Sequence, residues 1–320
     1  MASKLSRVLA TIGHEPGIPL VRGELTLGRK FVRSYLNWQK KDTAANSLSD
    51  TDLLIACCRA LKLDLVCIQS PGAATEESDL LGKLVDIPRI TAEGLFVFWV
   101  VNGSFQRAMA QQGPLELLKD MAAAPDKVRK ELRELSHPVV ADLVQGVTAG
   151  AHGVIIADDI AYHRSTYISP DAVKQHLLPI WQRQVTTARD LGVPVFFHSD
   201  GNLNAVVPTL VAAGFDGLQC LEPAAGMDLA GIKARYGNAL CLMGNIDPAL
   251  LSEQGSPLEA EQRCGRLRRA VLGLMTATGG DGGLIFGTCS GLHAGMSPER
   301  VQYMYDLAAE PDTVIPAVSP

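Results

Sequence analysis

The chain has 320 residues, of which 47% are hydrophobic and 20% charged, and its formal net charge is -5 at pH 7. A mildly acidic balance with no long Lys/Arg cluster gives no electrostatic footprint for nucleic acid, and no run approaches the roughly 18 apolar residues of a membrane helix. The opening MASKLSRVLATIGHE lacks a signal-type apolar stretch, and the seven cysteines form no CxxC pair or disulfide-like spacing, so a soluble cytoplasmic protein with a small-molecule substrate is expected.

Short apolar runs bounded by Gly, Pro or Asp recur about every 30 to 45 residues, separated by stretches of helical spacing, which is a βα cadence. In chain order they are Ile18 to Glu24, Leu63 to Ser70, Leu95 to Asn102, Gly153 to Asp159, Val193 to Asp200, Gly217 to Glu222, Ala239 to Asp247 and Gly283 to Cys289. Helices are expected over Ser49 to Leu61, Pro170 to Leu191, Asn202 to Ala213, Asp228 to Tyr236, Pro257 to Ala277 and Ser297 to Ala308, with caps at Ser49, Ser169 and Ser297.

IPLV, VFWVV, GVIIA, PVFF and LIFG are too apolar for strands with one wet face and read as parallel strands covered on both sides. Eight of them predict a single α/β domain over 1–320, a (β/α)8 TIM barrel with an N-terminal extension. A doubly wound open sheet is the competing architecture. Pro71 to Glu93 breaks the cadence and is expected to loop over the barrel mouth in the manner of a lid.

Barrel chemistry gathers at the carboxyl ends of the strands. The ends here carry Arg22 and Glu24, Gln69 and Ser70, Asn102, Asp158 and Asp159, His198 and Asp200, Glu222, Asn245 and Asp247, then Cys289 with His293 beyond. A rim shaped only for solubility would be richer in Lys and Glu than this mixture of carboxylate, imidazole, amide and thiol.

FFHSDGN is the sharpest local signal. His198 and Asp200 lie two apart at a strand end and can project into one pocket, which suits a metal pair or an acid/base pair. Asp158 and Asp159 point to opposite faces if the strand persists, so one of them faces the pocket. Asp158 is taken as the candidate proton donor, with Tyr162 a turn away, and Arg22 as a partner for a substrate carboxylate. A zinc site could draw on His198 and Cys289, with Asp200 and Glu222 as oxygen donors; a small buried hydrophobe is the alternative reading of Cys289.

The order of DDIAYHRSTYISPDAVKQHLLPIW, FFHSDGN, LEPAAGMD, LMGNIDP and FGTCSGLHAGMSPERV resembles the uroporphyrinogen decarboxylase superfamily, most strongly from residue 150 onward. The resemblance implies a (β/α)8 barrel. It also implies either tetrapyrrole decarboxylation or methyl transfer between a corrinoid and a thiol, a folate or a methoxylated substrate.

Departures from the family pattern separate these activities. The decarboxylases carry an Arg-Gln-Ala-Gly-Arg motif, of which RGELTLGR keeps only Arg22 and Arg29, and their aspartate after the second strand is replaced by Gln69 and Ser70. Neutral groups cannot supply that charge. The thiol-activating methyltransferases bind zinc through His-x-Cys on the fifth strand and a Cys after the eighth; this chain keeps His198 and Cys289 but has Asp200 for the first Cys.

The expectation is therefore a corrinoid-dependent methyltransferase acting with cobalamin, free or on a partner corrinoid protein, since no corrinoid-binding domain is evident in the chain. His198, Asp200 and Asp158 would protonate or polarise, and Glu222, Asn245, Asn102, Arg22 and His293 would position the substrate. A decarboxylase acting on an altered substrate and a non-catalytic tetrapyrrole-binding barrel are the alternatives.

Overall fold

A computed structural model describes residues 2–40, 47–71, 80–278 and 282–309. Eight parallel strands close into a barrel: β1 Val21–Glu24, β2 Leu65–Gln69, β3 Phe96–Asn102, β4 Gly153–Ala157, β5 Val195–His198, β6 Gly217–Cys220, β7 Cys241–Ile246 and β8 Leu284–Thr288. Each lies inside one of the apolar runs, because a strand covered on both faces needs no polar alternation. The open-sheet alternative is excluded by the seam, where Val21 pairs with Ile285 and Gly23 with Leu65. A Cβ at Gly287 would stand 2.0 Å from the Gly23 carbonyl oxygen, so β8 closes on β1 only with glycine there.

The core has two shells. Alternate side chains point into the barrel, where Phe98 lies 4.9 Å from both Phe96 and Phe196 between ring centroids, and the others pack outward against the helices. The N-terminal extension is part of the inner shell. Helix Lys4–Ile12 packs Val8 with Val21, Leu65 and Ile285, and its Thr11 carbonyl accepts the Gly283 N–H just before β8, so it plugs the amino-terminal end of the barrel.

The expected caps are made: Ser49, Ser169 and Ser297 accept from the backbone N–H of Asp52, Ala172 and Arg300. The expected helix from Pro170 is interrupted by a π turn over Val173–Leu177, where Pro179 can donate no backbone hydrogen bond. The helix expected from Asn202 begins only at Val207. Helices Arg29–Lys40, Ser104–Gln112, Pro114–Ala123 and Pro125–Thr148, absent from the expected set, fill the crossovers after β1 and β3.

Of the expected lid, residues 72–79 lie outside the described residues. Its remainder is anchored, with Leu80 bridged to Gly28 and a helix over Ile87–Ala92. Among the described residues, no helix is long and apolar enough to cross a membrane.

Candidate active site

Strand parity decides which polar end groups reach the mouth. On β4, Ile155 points into the barrel and Ile156 into the helical layer. Continuing the alternation sends Asp158 outward and Asp159 inward.

Asp158 accordingly is 0% exposed, accepting from Trp181 Nε1 at 2.9 Å and from the Gln106 N–H at 2.8 Å, at the amino end of helix Ser104–Gln112. Burial raises its carboxyl to about 6, against the opposing pull of the Trp181 and Gln106 hydrogen bonds. Its assignment as the proton donor is corrected: the carboxylate at the mouth is Asp159, half-buried, whose Oδ1 accepts the Asp200 N–H at 3.0 Å.

His198 ends β5 on the inward face and is 9% exposed. Nδ1 is hydrogen-bonded to the side-chain oxygen of Gln219, its register partner on β6, and Nε2 lies 3.8 Å from Asp159 Oδ1. Asp200 follows in the exposed turn, where the next N–H, that of Gly201, donates to Glu222 Oε2 at 2.8 Å. Glycine is required at 201, with φ at 86°, because a Cβ would meet the Tyr162 carbonyl oxygen at 2.6 Å.

Cys220 reaches this group by a backbone device. Gly217 and Gln219 face inward on β6, so regular pleating would turn Cys220 outward. Instead, Cys220 and Leu221 adopt left-handed φ values of 90° and 57°, conformations that cost on the order of 1–3 kcal/mol each. The kink is held by Asn245 Nδ2, which donates to the Leu221 carbonyl at 2.6 Å, and it directs Cys220 Sγ to donate to Asp200 Oδ1 at 3.2 Å. A hydrogen bond with Cys289 and burial push the Cys220 thiol up, which keeps it protonated.

Two donor groups result, each with ligand atoms within 4.8 Å of one another: Asp159, His198 and Asp200, and then Asp200, Cys220 and Glu222. They share Asp200. The set can hold a divalent cation or move a proton to or from a bound heteroatom.

Other expected site residues lie elsewhere. Arg22 sits on the outward face of β1, donating to the Leu61 carbonyl at 3.3 Å with its guanidinium 5.6 Å from the Tyr305 ring centre, so it does not reach a ligand in the mouth. His293 is turned into its own loop, with Nε2 2.7 Å from the Ser290 carbonyl. Cys289 is buried, pairs with Cys220 and belongs to neither donor group, so the metal pairing of His198 with Cys289 is replaced by His198 with Asp159 and Asp200.

Tyr162 lies on a short hairpin, Ala161–Tyr162 against Ser165–Thr166, exposed and stacked on Tyr167 at 5.6 Å. Asn102 closes β3 half-buried on the inward parity. Gln219 and Cys220 went unnoticed in the sequence. An amide in an otherwise apolar inward register was the available signal for Gln219; nothing local signals the kink at Cys220.

The profile of the family described as "Uroporphyrinogen decarboxylase (URO-D)" matches residues 102–311. A curated uroporphyrinogen decarboxylase of Actinobacillus succinogenes is 25% identical over 219 residues, 66% of this chain and 55% of the relative, so the match spans about half that relative's length. Among solved structures, a methyltransferase from Methanosarcina mazei superposes with a TM-score of 0.73 at 16% identity, covering 97% of this chain and 99% of that one. A B12-independent methionine synthase from Shewanella sp. W3-18-1 superposes at 0.51 with 13% identity, covering 91% and 95%. At these identities the structural likenesses establish the barrel fold alone.

Proposed function

The chain belongs to the uroporphyrinogen decarboxylase family, and from that premise we propose that it moves a methyl group between a corrinoid and a small acceptor or donor such as tetrahydrofolate, a thiol or an aryl methyl ether. Cobalamin would be supplied free or on a partner corrinoid protein and would carry the methyl group at cobalt.

The observation that carries this reading over tetrapyrrole decarboxylation is where the cations go. A tetrapyrrole with acetate and propionate arms calls for arginines at the mouth. Arg22 points into the helical layer, and Arg29 is paired with Asp50 at 2.6 and 2.9 Å. The second-strand end carries the neutral Gln69. The mouth groups of β4 to β6 instead form an acid, imidazole and thiol cluster suited to a heteroatom that gains or loses a proton as its methyl group moves.

Asp159, His198 and Asp200 would hold or remove that proton, and Glu222 and Asn102 would position the substrate. Asn245 would act indirectly, by keeping Cys220 turned inward. Zinc suits the nitrogen and oxygen donors here, with Asp159, His198 and Asp200 as the residues to hold it, and when bound it would supply Lewis acidity at the transferring heteroatom.

Spectrophotometry of methylcobalamin with tetrahydrofolate or thiols, and of cob(I)alamin with methoxylated aromatics, tests the proposal in the presence of a corrinoid protein. A spectral change dependent on enzyme is expected. No change with any pair, together with coproporphyrinogen formation from uroporphyrinogen at about 1 per second or faster, would favour the decarboxylase. A coloured ligand that copurifies without turnover would favour a tetrapyrrole carrier.

A further inference from the structure

We infer that Gln219 is a positioning residue that locks His198 in the Nδ1–H tautomer, so that the mouth of the barrel is presented with a bare Nε2 lone pair. The inference goes beyond methyl transfer, because it holds whatever group the site handles.

The reasoning starts at the far end of the amide. Gln219 is 0% exposed, and its Nε2 lies 2.7 Å from the Cys289 carbonyl oxygen. A carbonyl oxygen only accepts, so the amide nitrogen must face it; the flipped amide would set two acceptors against each other away from the protein surface. Oε1 is therefore the atom that meets His198 Nδ1. An amide oxygen also only accepts, so Nδ1 must carry the hydrogen.

In the neutral ring the lone pair is then left on Nε2. The lock is built into the fold: His198 and Gln219 are register partners on β5 and β6, and the carbonyl that orients the amide comes from the end of β8.

This tautomer has a consequence for ligands. Nε2 lies 3.8 Å from Asp159 Oδ1, and ligand atoms of Asp159, His198 and Asp200 lie within 4.8 Å of one another, so the imidazole adds a third acceptor beside two carboxylates, of which Asp159 Oδ1 already accepts the Asp200 N–H and Asp200 Oδ1 the Cys220 thiol. Such a pole receives a hydrogen-bond donor or a cation, as in an ammonium, hydroxyl, thiol or metal ion, and rejects a carboxylate or phosphate oxygen.

Long-range 1H–15N correlation spectra of 15N-histidine-labelled protein, at a pH where the ring is neutral, read the tautomer directly. The His198 resonances are identified by their loss in His198→Gln. The expected wild-type pattern is a protonated Nδ1 and an unprotonated Nε2. Gln219→Met, similar in shape but without the acceptor, should lose the Nδ1–H preference and show the Nε2–H form or a mixture.

A wild-type Nε2–H tautomer would overturn the inference without any variant. An unchanged tautomer in folded Gln219→Met would remove Gln219 as its cause. Neither readout uses a methyl donor, so failure of the methyltransferase reading would leave this result standing.

Discussion

Glu24 offers a stability experiment whose sign the structure dictates. Its side chain is fully buried on the outward face of β1, with Oε2 accepting from Thr288 Oγ1 at 2.6 Å and Oε1 from the Tyr305 hydroxyl at 2.5 Å. Burial dominates these hydrogen bonds and raises the carboxyl from 4.5 to about 7. The folded protein thus holds this proton more tightly than the unfolded chain does. The contribution to stability is complete below about pH 4.5 and is lost as pH rises through about 7.

A shift from 4.5 to about 7, at about 1.4 kcal/mol per pH unit, corresponds to a loss of about 3 kcal/mol by pH 8. Glu24→Gln keeps an acceptor for Tyr305 or Thr288 but cannot ionise. Urea unfolding of both proteins at pH 4 and pH 8 should show the wild type losing about 3 kcal/mol more than the variant over that interval. The raised carboxyls of Asp158, Asp64 and Asp216 are present in both proteins and cancel in the comparison. Parallel changes in the two proteins would refute the assignment of Glu24 as the titrating group.

Asp159→Asn should lower methyl-transfer kcat by about 100-fold or more. Asp158→Asn, which disturbs a buried hydrogen bond outside the mouth, should cost about 1–3 kcal/mol in unfolding free energy and leave specific activity close to wild type; the reverse pattern would restore Asp158 as the mouth acid. Gly103→Ala would place a Cβ 2.3 Å from the Asp158 carboxyl carbon, which its two hydrogen bonds hold in place, and denaturant unfolding should register a loss of about 1–3 kcal/mol. Asn245→Ala removes the donor to the Leu221 carbonyl and should reduce stability by about 1–3 kcal/mol while making Cys220 more reactive toward thiol reagents at pH 8; unchanged Cys220 labelling would show that the kink holds without Asn245.

Much of the fold was legible in the sequence, because buried parallel strands are written as unbroken apolar runs and each of the eight runs needed only its neighbours to be recognised. The crossovers after β1 and β3 were readable but went unread: Arg29–Lys40 buries Phe31, Val32, Tyr35 and Leu36 on one face, and Pro125–Thr148 buries Leu132, Leu135, Val139 and Leu143, each at helical spacing. His198 and Asp200 were visible because a histidine and a carboxylate two residues apart at a strand end announce a shared pocket.

The choice between Asp158 and Asp159 depended on a single residue of register, and a sequence that ends a strand in two aspartates does not say where pleating stops. Arg22 likewise looks available until Tyr305, 283 positions away, is brought beside it. Cys220 enters the site only through two left-handed residues clamped from β7, and Gln219 acquires its role only when β8 supplies the carbonyl that orients it. Local sequence determined the strands and their polar ends. Barrel closure decided which of those ends meet, because the partners come from strands far apart in the chain and hydrogen-bond direction is settled only when both sides are in place.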